Sequence, residues 1–171
     1  MNRISVFSLL AFTLLSTEAF SQQDKSKRVS PPALVTQTTS NGLVITIDYS
    51  QPSLKGRTLG KDIAPYGKVW RTGANEATTF EISQDAKIEG KLLKAGKYSL
   101  YSIPGEQEAT VIFNKVWNQW GTVYNESEDA LRVNVTPSQS PAFNEKMTFA
   151  IDKSGKVTFL WGEGEVNFMV E

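Results

Sequence analysis

"LVTQTTSNGLVITIDYS", residues 34–50, is the stretch on which the reading of the fold turns. Two runs rich in β-branched residues flank Asn41-Gly42, a pair that readily takes the positive φ angles of a tight hairpin turn. In the second run Leu43, Ile45, Ile47 and Tyr49 alternate with Val44, Thr46, Asp48 and Ser50. Successive side chains of a strand point to opposite faces, so this period of two puts the first set on a core and the second on the other side.

The same pattern recurs toward the C-terminus. Residues 79–83, 86–89, 97–103, 110–115, 131–136, 146–152, 157–161 and 166–170 are strand candidates, separated by turn residues at Gly90, Ala95-Gly96, Pro104-Gly105, Pro137 to Pro141, Ser154-Gly155 and Gly162 to Gly164. No window sustains a helical period, although Gly60 to Ala64 is compatible with one helical turn. About ten short strands at this spacing predict an all-β fold, an antiparallel β-sandwich or barrel-like pair of sheets with little helix, over residues 33–171.

Upstream of that domain, "MNRISVFSLLAFTLLSTEAFS" combines a basic start at Arg3, an apolar run from Ile4 to Leu15 and small residues at Ala19 and Ser21. This is the layout of a cleaved signal peptide over residues 1–21, and its apolar run is well short of the roughly 20 residues that span a bilayer. Export to the periplasm or beyond is therefore expected, with no membrane insertion after cleavage. Residues 22–32, polar and ending in two prolines, read as a disordered lead-in.

Composition removes more functions than it suggests. The 171 residues contain 18 basic and 18 acidic side chains, and this balance disfavours nucleic acid or an anionic membrane as a partner. With no cysteine there are no disulfides, thiol nucleophiles or thiolate metal sites. With no histidine there is no Ser-His-Asp catalysis, no His-ligated metal and no imidazole proton shuttle. Neither "GKDIAPYGKV" nor "GKLLKAGKYS" has the glycine spacing of a phosphate-binding loop. The run Glu126 to Asp129 lacks the spacing of a calcium loop and reads as a solvated turn. No cofactor or metal centre is expected, and the residue inventory favours binding over catalysis.

One segment is unusually dense in hydrogen-bonding groups: "KVWRTGANEATTF", residues 68–80. Arg71 offers a planar fork of donors suited to a carboxylate or phosphate, beside the Trp70 ring. Asn75 and Glu76 add acceptors at the loop tip, Thr72 and Thr78 add hydroxyls, and Lys55, Arg57 and Arg132 are further cations. The candidate site comprises Arg57, Trp70, Arg71, Asn75, Glu76, Thr78 and Trp120. Trp117, Trp120 and Tyr124, in a segment also containing Asn and Gln, offer either a stacking platform for sugar rings or a cap on the core. The competing reading of the dense segment is structural: a long connection between strands satisfies its own backbone groups with such residues, and Arg71 pairs with Glu76 or Glu81.

"GRTLG", "APYGKVWRTGANEATTFEIS", "AGKYSLYSIP", "FNK", "WG" and "LRVNV" occur in that order, and over residues 50–161 the chain resembles the family catalogued as domain of unknown function 2911. The resemblance implies an exported, β-rich bacterial domain and brings no catalytic assignment. Three functions are compatible with these observations. The first is a binding module for a small anionic molecule or envelope sugar, the second a structural or assembly module contacting an envelope protein. The third is a carboxylate-based hydrolase built on Glu76 with Glu81 or Asp129, a chemistry that requires one carboxyl group with a raised pKa.

Overall fold

The computed structural model describes residues 24–171, and the expected leader lies outside the described residues. Twelve strands follow one 3₁₀ turn at Lys25–Lys27: β1 (Pro32–Thr38), β2 (Val44–Ser50), β3 (Leu59–Gly60), β4 (Ile63–Pro65), β5 (Thr79–Ile82), β6 (Ala86–Ile88), β7 (Lys91–Leu93), β8 (Gly96–Ile103), β9 (Ala109–Asn114), β10 (Asp129–Val135), β11 (Ser138–Ile151) and β12 (Lys156–Met169).

A hairpin forms at Asn41-Gly42, with β1 and β2 in unbroken register from Pro32 opposite Ser50 to Thr38 opposite Val44, but through a connection of residues 39–43 in which Gly42 (φ 85°) and not Asn41 takes the positive φ. It begins a six-stranded antiparallel sheet in the order β1-β2-β5-β8-β9-β10. The remaining ladders are two-stranded, and of these only the short β3-β4 pair is parallel. The fold is all-β, but these ladders do not by themselves define a sandwich or a closed barrel.

Period-two alternation builds the inner face of the large sheet. Leu43, Ile45 and Ile47 of the first hairpin, Phe80 of β5, Leu100 of β8, Phe113 of β9 and Val133 of β10 are all buried there. Strands β11 and β12 lie over this face, and Phe168 brings its ring to 6.0 Å from Phe80 and 5.9 Å from Phe113. Aromatic pairs at such separations add favourable edge contacts to the area they bury.

Several elements depart from the expected boundaries. Residues 60–64 form no helical turn; a tight turn at Lys61-Asp62 instead joins β3 to β4. Pro137 to Pro141 is not wholly a turn, because β11 already starts at Ser138. The strands expected at 157–161 and 166–170 belong to one element, β12, which folds back at Gly162 (φ 60°). Its two halves lie side by side, with Thr158 Oγ1 donating to Asn167 Oδ1 at 2.7 Å and Val170 N to Gly155 O at 3.0 Å.

The outer face of the large sheet is covered in part by the connection between β9 and β10. Tyr101 and Ile112, both buried, sit beneath it or within the sheet, and the Tyr124 ring lies 4.9 Å from that of Tyr101. The connection is anchored at Asp129, whose carboxylate accepts from Tyr124 (2.8 Å), Arg132 (2.7 Å) and Asn114 (2.8 Å). Burial, with the hydrogen bond to the Asp129 carboxylate, pushes the Tyr124 hydroxyl up to about 12.

Candidate functional site

The segment rich in hydrogen-bonding groups forms a loop closed at its base by β8. Trp70 exchanges backbone hydrogen bonds with Ser102 (2.7 and 2.9 Å), and Thr78 O accepts from Leu100 N at 2.7 Å. Between these points the chain consumes most of its own polar groups. Thr78, fully buried, donates to Thr72 O at 2.8 Å, and Thr72 donates to the Ser102 hydroxyl at 2.9 Å. Asn75 reaches the N-terminal segment, donating to Ser30 O at 3.1 Å. Thr72 (φ 47°) and Asn75 (φ 59°) occupy the left-handed region, which is unfavourable for a β-branched threonine.

A second loop grips the first. Ala77 N donates to Gln119 O, Gly121 N donates to Asn75 O, each at 3.0 Å, and Glu76 pairs with Trp120 through a backbone bridge. Glycine is required at 121, since a Cβ there would lie 2.9 Å from both the Asn75 carbonyl oxygen and Arg71 Cδ.

Arg71 pairs with neither Glu76 nor Glu81. Glu76 takes Arg28 (2.6 Å) and Lys25 (3.1 Å), while Glu81 takes Lys97 (3.5 Å). Arg71 is half-buried and donates its Nε to Gly73 O at 3.2 Å, and burial pushes its pKa down. No carboxylate pairs with it among the described residues.

Arg57 turns back on its own loop, with Nε on Leu54 O at 2.9 Å and Nη2 on Ser53 O at 2.7 Å. Arg132 belongs to the Asp129 cluster and also meets Glu126 at 3.1 Å. Arg57 and Arg132 are thus spent in separate local contacts and do not join Arg71 in one cationic pocket.

Trp70 leads to a different kind of site. Its ring stacks on Trp161 at 5.3 Å and lies 6.3 Å from that of Phe159. These rings line a cavity of about 120 Å³, open at one side, with Leu59 and Ala64 in one wall and Ala109 and Val111 in another. The lining is almost entirely apolar, and its Thr72 and Ser102 hydroxyls are already bonded to each other. Sequence reasoning singled out Trp70 but not Trp161, Phe159 or Leu59. The only signal available for them was apolar character, which they share with ordinary core residues.

On the other side of the loop, Glu76 and Ala77 border a polar cleft of about 340 Å³ that also includes Trp117 and Lys97. The Glu76 carboxyl is held at about 2, chiefly by the hydrogen bond from Arg28. It is an ionised ion-pair partner at neutral pH, without the proton that a general acid must supply. Among the described residues no cluster of three or more acidic side chains is arranged to hold a metal ion.

The fold and these two concavities define an all-β domain with a closed, self-satisfied loop between an apolar cavity and a polar cleft. The chain belongs to the family described as Protein of unknown function (DUF2911), which matches residues 30–170. No curated protein and no solved structure matches it.

Proposed function

We propose that this protein is an exported binding module, acting in the periplasm or outside the cell, and that it holds the apolar part of a small ligand in the cavity beneath Trp70. The apolar lining of this cavity carries this reading. Interiors normally pack without voids of this size. Apolar cavities of this order accept a benzene-sized group, and an apolar pocket of this kind is the default place to seek a ligand. The ligand's buried part is then a single ring or a short alkyl chain, in place of the anionic group that Arg71 suggested from sequence.

Titration with toluene and with 1-hexanol tests the reading. Saturable quenching or shift of tryptophan emission is expected, because Trp70 and Trp161 line the wall, together with a rise in Tm as the folded state alone binds. Ala109→Leu, which fills the cavity from β9, should abolish both effects while the protein stays folded. No response to either probe, or an undiminished response in the filled variant, would overturn the assignment.

A further inference from the structure

The polar cleft is a second concavity, and its chemistry differs from that of the cavity. We infer that it is a binding site for a neutral pyranose sugar, the ring stacked on Trp117 and its hydroxyls bound by Asp48, Thr79 and Asn118.

Its position is set by rigid elements. Asp48 of β2 and Thr79 of β5 are opposite each other in the ladder of the large sheet, on the face turned away from the core. Trp117 and Asn118 come from the connection after β9. That connection is fixed by Ser99 Oγ on Val116 O (2.9 Å), Val116 N on Asn114 Oδ1 (3.1 Å) and Gln119 Nε2 on the Tyr101 hydroxyl (3.1 Å). The cleft therefore needs little ordering on binding, which lowers the entropic cost of association.

The identity of the ligand follows from what is left unpaired. Trp117 is 42% exposed, and the Lys97 ammonium lies 5.0 Å from its ring centroid. A cation at that distance steadies the indole. Asp48, Thr79 and Asn118 make no side-chain hydrogen bond among the described residues, although all three line the cleft. The other charged groups lining the cleft are engaged in ion pairs, Lys25 and Arg28 on Glu76 and Lys97 on Glu81. The groups without a partner are thus one carboxylate that accepts, an amide that does both and a hydroxyl that does both, beside an exposed indole that carries the Lys97 ammonium over one face and would stack a ligand on the other.

A pyranose matches that set, because its hydroxyls donate and accept while its C–H face is apolar. A free phosphate or carboxylate does not match, because it would face the unpaired Asp48. The cleft volume, about 340 Å³, lies at the lower end of small-molecule sites of roughly 300–1,000 Å³.

The test is an NMR and tryptophan-fluorescence titration of the protein with glucose and N-acetylglucosamine, and with the β-linked tetrasaccharide of each. Saturable binding with Kd of about 1 mM or tighter is expected, weakened at least about tenfold by Trp117→Ala and by Asp48→Asn. Trp117→Phe, which keeps an aromatic face, should retain most of it. Tighter binding of the tetrasaccharides would identify a glycan chain as the source, and equal affinity a free sugar. No saturable binding by any of the four, displacement by inorganic phosphate in place of sugar, or full binding in Trp117→Ala would overturn the proposal. The apolar cavity is read out separately, since toluene binding should persist in Trp117→Ala.

Discussion

Glu76 illustrates how one side chain ties distant parts of the chain together. Arg28 and Lys25 hold its carboxyl at about 2, below its ordinary value of 4.5. A carboxyl depressed in the folded state contributes stability that is fully present above its unfolded pKa and is lost as pH falls through the folded one. The contribution should therefore disappear between about pH 4.5 and pH 2, and Glu76→Gln should flatten that part of the acid unfolding profile. Because the side chain is 41% exposed, solvent screening keeps the effect at neutral pH to about 1 kcal/mol or less. Arg71 behaves differently. Without a carboxylate partner among the described residues, Arg71→Ala strands no buried anion, and urea unfolding should show a loss of about 1 kcal/mol or less, from the Nε hydrogen bond and the packed stem. A loss of several kcal/mol would mean that the guanidinium has a buried anionic partner. Arg71 was legible as a special residue from sequence, but its freedom was not, because that depends on which cations reach Glu76 and Glu81 first.

At the scale of elements, the two interlocked loops are the most sensitive feature. Gly121→Ala would push a methyl group against the Asn75 carbonyl and the Arg71 stem, and a loss of about 1–3 kcal/mol in denaturant unfolding is expected. In the neighbouring connection, Asp129→Ala leaves Arg132, Tyr124 and Asn114 without their shared acceptor and should cost about 2–4 kcal/mol. Tyr124 adds an alkaline signature. Its pKa is raised to about 12, so the folded state favours the neutral phenol, and stability should fall as pH rises from about 10 toward 12, an effect that Tyr124→Phe removes. The longer strands were readable because a half-buried strand must alternate, as in β2 and β5. Strands β3, β4 and β7, of two or three residues each, are too short to show a period, and they exist because neighbouring backbone offers a partner. The start of β11 was hidden by Pro137 and Pro141, which look like turn residues unless the strand partner is known.

At the scale of the whole molecule, the apolar cavity and the polar cleft border the same loop but have different walls, one lined in part by β12 and one by residues of β2, β5 and the connection after β9. A larger apolar side chain at Ala109 adds contacts to the apolar walls, so Ala109→Leu should leave stability unchanged or raise it by up to about 2 kcal/mol in urea unfolding. A loss exceeding that amount would show that the space cannot take three more heavy atoms of side chain. The sequence by itself determined the all-β class, the first hairpin and the exclusion of thiol and imidazole chemistry, since alternation, turn residues and the absence of His and Cys are local or compositional properties. It also singled out residues 68–80 as unusual. Only the tertiary structure decided that this segment satisfies most of its own polar groups, and that Trp70 joins Trp161 and Phe159 around a cavity. Those contacts join residues about 90 positions apart, and whether they leave a space or close it depends on how the layers meet, which no local pattern encodes.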